Sequence, residues 1–194
     1  MSRALACAAM VLLSAPASAE TGWLSARGRV SAEPRAELFG GSQSVGGGIA
    51  VPVSAGGPGA FGFELAFDFV NRFAEARLTR AWQLTALRFA TLSATGALNG
   101  FYVPQGAAAL GAGAHAGLNL ALGGGTFTVD VSADVGAEGF TTGPSRLPLR
   151  LGLGLNARIG HVLLSAQGRA GADVVPGRFF AVRAEAVLAA GWAW

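Results

Sequence analysis

The chain has 194 residues, 52% of them hydrophobic and 13% charged, with 30 glycines and a mean hydropathy of +0.46. That is greasier than an ordinary soluble domain, yet beyond the first twenty residues no run approaches the ~18 apolar positions of a membrane-crossing helix. All fourteen basic residues are arginine against eleven acids, and a formal charge of +3 is too small for a nucleic-acid footprint.

The N-terminus reads "MSRALACAAMVLLSAPASA": Arg3, an apolar run from Ala4 to Leu13, Pro16, then Ala17-Ser18-Ala19 before Glu20. This is the pattern of a secretory signal peptide over residues 1–19, cleaved after Ala19, with one domain over 20–194. Cys7, the one cysteine, falls inside it, so the mature chain is expected to carry no thiol, no disulfide and no thiolate metal site.

From there the apolar residues recur with a period of two, the signature of strands with one greasy face. "GWLSARGRVSA" sets Leu24, Ala26, Val30 and Ala32 against Ser25, Arg27, Arg29 and Ser31, and "SVGGGIAVPVS" alternates more weakly. "FGFELAFDFV" opposes Phe61, Phe63, Leu65, Phe67 and Phe69 to Gly62, Glu64 and Asp68. Over Asn71 to Asn99 the alternation slips near Ala86: Leu78, Trp82 and Leu84 share one parity, Leu87 and Phe89 the other. Two strands separated by a short turn fit best, and an amphipathic helix through Leu78, Trp82, Thr85 and Phe89 is the competing reading. "AAALGAGAHAGLNLAL" sets leucines and alanines against Gly111, Gly113, His115, Gly117 and Asn119. "TFTVDVSADV" then opposes Phe127, Val129, Val131, Ala133 and Val135 to Asp130, Asp134 and hydroxyls. In "RLPLRLGLGLNARI" every odd position from Leu147 to Ile159 is apolar, and "HVLLSAQGRAGA" sets Val162, Leu164, Ala166 and Ala170 against His161, Ser165, Gln167 and Arg169. The chain closes on "EAVLAAGWAW", with Val182, Ala184, Ala186, Leu188, Ala190, Trp192 and Trp194 on one parity.

Gly/Pro-rich turns separate these segments: Glu33-Pro34, residues 54–60, 103–106, 123–125, 141–145 and 175–177. The spacing predicts strands at 22–32, 43–53, 59–70, 74–84, 87–99, 106–122, 125–139, 145–159, 161–174 and 178–194. The fold class is therefore all-β: a closed up-and-down antiparallel transmembrane β-barrel of about ten strands, with eight as the alternative.

The last strand resembles the terminal signal of bacterial outer-membrane β-barrel proteins: an aromatic last residue in register with a second aromatic two positions earlier and apolar residues behind. Ala186, Leu188, Ala190, Trp192 and Trp194 occupy those positions, with Trp in place of the usual final Phe and preceding Tyr. The resemblance implies that the segment is read by the barrel-assembly machinery, that the protein is exported to the outer membrane, and that its partner is outer-membrane lipid. Indole rings suit that interface physically, apolar body to lipid and N–H to water.

If the apolar parity meets lipid, the other lines a lumen: Arg27, Arg29, Glu64, Asp68, Asp130, Asp134, Arg146, Arg150, Arg158, His161, Arg169, Arg183 and Glu185, with Glu75, Arg77 and Arg88. Mixed signs in a narrow barrel predict ion pairs that fill the interior, in preference to an open selective pore. The arginines of the later strands leave an anion-preferring slot as a second possibility, and Gly111, Gly113, Gly117, Gly152 and Gly154 would give them room. The function expected is thus non-enzymatic, structural or narrow-pore, with a polar, arginine-rich lumen.

Two other classes compete with this reading. A soluble periplasmic lipocalin-like barrel would point the apolar parity inward around a greasy ligand, but so complete an apolar face overfills a small interior. A lipid-modifying barrel enzyme would need His, Ser and a carboxylate together; His161 and Ser165 share parity but stand four apart, about 13 Å along a strand. No cofactor, dinucleotide fingerprint or nucleic-acid module is expected, and two histidines at 115 and 161, without a paired carboxylate motif, give no metal-ligand spacing. "GGSQSVGGG" lacks the lysine and the following helix of a phosphate loop.

Overall fold

A computed structural model describes residues 34–41, 45–54, 60–70, 72–104, 109–124, 126–142, 144–177 and 181–192. They form ten strands: β1 (Arg35–Gly41), β2 (Val45–Ser54), β3 (Ala60–Asp68), β4 (Phe73–Leu87), β5 (Ala90–Val103), β6 (Ala109–Gly124), β7 (Phe127–Phe140), β8 (Leu147–Ile159), β9 (Val162–Val174) and β10 (Ala181–Trp192). Each pairs antiparallel with its sequence neighbours, and β1 closes on β10 from Arg35↔Gly191 to Gly41↔Glu185. The even count and the up-and-down order follow from the chain's repeated alternation and short turns. Closure leaves no open sheet edge, so the backbone amides and carbonyls of the wall are paired within it.

The expected first strand differs. Residues 22–32 lie outside the described residues, and the strand preceding β2 is Arg35–Gly41, just past the Glu33-Pro34 turn signal. Its pattern is less clean because Phe39 points inward with Arg35 and Glu37 while Ala36 and Leu38 point out. The inward Phe39 is possible because its partner across the sheet is Gly46, where a Cβ would overlap the phenyl ring. Phe39, Ala66, Val187 and Ala189 make a small apolar cluster inside the barrel.

The parity slip in the fourth hairpin has a local cause. Gln83 pairs with Ser93 and Thr85 with Leu92, so Leu84 is an extra residue in a β-bulge. A bulge moves all later side chains of its strand to the opposite parity, which returns Leu87 to the outer face with Leu78 and Trp82. The chain reverses only at Arg88-Phe89, after the bulge, and both flanking segments are strands, not a helix.

The two ends of the barrel are unequal. One carries the connections at 55–59, 88–89, 125–126 and 160–161; the other carries those at 42–44, 69–72, 104–108, 141–146 and 175–180. We term them the turn end and the loop end; Arg35 and Trp192 both sit at the turn end. Gly160 occupies the left-handed region at φ 61°, which lets a two-residue turn reverse β8 into β9.

The outer face is apolar throughout. Among the described strand residues of outward register, Arg80 is the one side chain charged at neutral pH, and its guanidinium lies over Phe61 (4.9 Å) and Trp82 (5.2 Å). Exposed aliphatics such as Leu118, Val131, Leu151 and Leu153 form the middle of the wall. Exposed aromatics flank them: Phe89, Phe127 and Trp192 toward the turn end, Phe67, Phe69 and Tyr102 toward the loop end.

Candidate functional site

With the aliphatic register outside, the polar register meets inside the barrel, and its side chains pair across strands. Near the turn end, Arg35 pairs with Glu37, and Asn156 donates to Asp130 Oδ2 at 2.6 Å and to Thr128 Oγ1 at 3.3 Å. Arg35, Asn156, Leu163, Ser165 and Ala189 bound a residual cavity of only about 20 Å³ there, room for a single water.

A longer network runs round the loop-end half. Arg77 Nη2 on β4 lies 3.6 Å from Asp134 Oδ2 on β7, and His115 Nδ1 on β6 lies 3.6 Å from Asp134 Oδ1. His115 Nε2 is 3.1 Å from Glu138 Oε1 and 3.2 Å from Asn99 Nδ2, and Asn99 in turn donates to Glu75 at 3.1 Å. Arg146 joins Glu138 to Asp173. Asp173 also receives Arg150 Nη2 at 2.6 Å and has Arg183 Nε at 2.9 Å. The network thus crosses every strand from β4 to β10, so side chains distant in sequence hold the wall at a fixed circumference. Buried polar groups are tolerable because they are paired in this way.

The lumen glycines serve the network, though not as expected for the arginines alone. A Cβ at Gly136 would overlap the His115 ring, and one at Gly113 would come within 2.8 Å of Glu138 Cγ. Gly152 accommodates Gln167 and Ser132, and Gly117 accommodates Thr95. Strand positions without side chains are what let histidine and acidic side chains lie flat across a narrow interior.

Of the residues expected in the lumen, Glu64, Asp68 and Asp130 are buried inside, and Asp134, Arg150, Arg169, Arg183 and Glu185 are inward and half-buried. Arg146 forms a single-residue bridge with Glu138 at the loop end, and Arg158 closes toward the turn end, its Nε donating to the Gly160 carbonyl at 3.1 Å. His161 is a correction: it sits in the exposed turn between β8 and β9 and stacks on Trp192, an outward residue, at 5.7 Å between centroids. A turn residue need not obey the parity of the strand it precedes, and the ring finds apolar area outside. Arg88 is likewise an exposed turn residue, over Phe89. Arg27, Arg29 and Trp194 lie outside the described residues; Ala186, Leu188, Ala190 and Trp192 face outward as the terminal register requires.

Sequence reasoning missed Arg35, Glu37, Asn99, Glu138 and Asp173, whereas Asn156 falls on the polar parity of its segment with Arg146, Arg150 and Arg158. Glu138 shares parity with Asp130 and Asp134, and Asp173 with Arg169, so extending the alternation by one or two steps would have found both. Inward acids (Glu37, Glu64, Asp68, Glu75, Asp130, Asp134, Glu138, Asp173, Glu185) outnumber inward arginines (Arg35, Arg77, Arg146, Arg150, Arg158, Arg169, Arg183) among the described residues. The described lumen is therefore mixed in sign, with arginine concentrated at one mouth.

No described hydroxyl side chain contacts His115, whose partners are two carboxylates and an amide. His161 and Ser165 are not brought together. Among the described residues no group of three His, Cys, Asp or Glu could hold a metal ion.

A closed antiparallel barrel of ten strands with an apolar exterior, aromatic bands and a polar interior has the architecture of the small bacterial outer-membrane β-barrels. Among solved structures the chain is similar to one described as "KdgM porin", at 5% identity and a TM-score of 0.47, over 84% of this chain and 99% of that one. No protein-family model matches the sequence, and no curated protein matches it.

Proposed function

We propose that the protein is an integral outer-membrane barrel with a non-enzymatic, structural or narrow-pore role, its lumen filled largely by paired polar side chains. The observation that carries this reading is the outer wall. Ten strands present one charged side chain outward among the described residues, and aromatic bands sit where the hydrocarbon would end. Water would meet a continuous apolar surface far larger than the few hundred Å² a soluble monomer exposes; lipid would meet its match. The turn end, holding both strand termini and three two-residue turns, fits the periplasmic side, and the loop end the outside.

The non-enzymatic reading is supported by His115, which is held by Asp134, Glu138 and Asn99 with no hydroxyl hydrogen-bonded to it among the described residues. The role of the terminal strand in engaging the assembly machinery is supported by its outward Leu188 and Trp192. The test is fractionation of the expressed full-length chain, gel mobility with and without boiling, and conductance in planar bilayers. A heat-modifiable outer-membrane band with small or absent conductance is expected. Recovery as a soluble periplasmic protein of unaltered mobility overturns the reading.

A further inference from the structure

At the loop-end mouth, exposure sorts the lumen charges by sign. The side chains of Asp173 and Glu138 are 2% and 5% exposed, whereas those of Arg146 and Arg150 are each 20% and that of Arg183 is 38% exposed. The acids are the more deeply buried and the guanidiniums the more exposed, so the solvent-facing surface of this cluster is made of donors.

We propose that this mouth is a binding site for one small oxyanion, a carboxylate- or phosphate-bearing solute, held by Arg150 and Arg183 with Arg146 beside them. The inference rests on the membrane-barrel reading above and deepens it by naming the solute class. Three guanidiniums converge on two carboxylates, which leaves one positive charge uncompensated within the cluster. An arginine carries five N–H donors in a planar fork that matches the two oxygens of a carboxylate or phosphate. Arg183 meets Asp173 as an ion pair, its Nε 2.9 Å from Oδ2 without hydrogen-bond geometry, and among the described residues its guanidinium nitrogens have no hydrogen-bond partner.

The site is also preorganised. Arg146 is fixed by Glu138 and stacks over Phe140 (5.2 Å) and Phe101 (5.9 Å), and Phe101 in turn packs on Phe73 at 5.1 Å. Arg150 is anchored on the Ala172 and Leu149 carbonyls at 3.3 and 3.1 Å as well as on Asp173. Side chains already immobilised lose little further entropy when an anion arrives. Asp173, itself almost fully buried, holds the forks from the protein side, and the anion would complete the charge balance from their exposed side.

The test uses the full chain folded in detergent, with the unboiled gel band as the check on folding, and isothermal titration with inorganic phosphate, then acetate, at fixed ionic strength. One saturable phosphate site is expected, weakened about tenfold in Arg183→Gln, the loss typical of one charged hydrogen bond, and partly restored in Arg183→Lys. Tetramethylammonium gives no saturable heat. A folded barrel that shows no saturable phosphate binding overturns the proposal, as does binding unchanged in both Arg183→Gln and Arg150→Gln. Bilayer recordings separate this from the parent reading. Phosphate binding without membrane insertion leaves the site standing and removes the barrel reading; inserted barrels that ignore phosphate do the reverse.

Discussion

Replacing Leu153 by arginine distinguishes a wall facing lipid from one facing water. Leu153 lies at the centre of β8, opposite Val131 and Gly168, and is 57% exposed. At the midplane of a bilayer an arginine on the lipid face of a barrel costs about 2–4 kcal/mol. A fully buried leucine contributes about 1.5–3 kcal/mol, so loss of the part that meets lipid adds about 1–2 kcal/mol. The sum is about 3–6 kcal/mol, with Leu153→Ala losing only the second part. The assay is equilibrium unfolding of the chain refolded into short-chain phosphatidylcholine vesicles, followed by tryptophan fluorescence and gel mobility. If the residue instead faced water, the change would fall within about 0.5 kcal/mol. A measured loss that small would refute the lipid-facing assignment.

Other perturbations probe the interior and the wall's register. Gly136→Ala places a methyl group into the His115 ring, and the displaced imidazole should cost about 1–3 kcal/mol in the same unfolding assay; an unchanged midpoint would mean the ring does not lie there. Asp173→Asn removes half the acceptor charge that faces three guanidiniums, and a loss of about 1–3 kcal/mol is expected after allowing for their partial exposure to water. Deleting Leu84 removes the extra residue of the bulge and leaves β4 and β5 in unbroken register, so the barrel should still fold and show its heat-modifiable band. Deleting Ala94, in the regular ladder of β5, should abolish that band, because a one-residue slip turns one side of the strand inside out.

Much of this architecture was legible because a closed barrel imposes the same rule on every strand. In β8, seven odd positions from Leu147 to Ile159 are apolar, and no competing structure uses that period. Legibility failed where a local feature broke the period. Phe39 points inward against Gly46, so β1 reads as irregular sequence, and the bulge at Leu84 reads as a turn three residues too early. His161 reads as a lumen residue because parity was carried past the end of a strand into a turn. The network itself could be read only as a set of inward positions. Which acid meets which arginine depends on registers between strands, and the convergence of Arg146, Arg150 and Arg183 on Asp173 joins three strands. Pairing of that kind leaves no mark on the spacing within any one of them.

The most direct test of the central claim is depth-dependent quenching along β8. Single cysteines would be introduced in a Cys7→Ser background, labelled with a small fluorophore and exposed to spin-labelled lipids in vesicles. Labels at positions 149, 151, 153 and 155 should be quenched, most strongly by spin labels near the bilayer centre at 151 and 153, while labels at Arg150 and at Arg169 of the neighbouring strand should not. Quenching of the inward positions, or of none of them, would contradict a barrel that turns its leucines to lipid and its charges to the lumen.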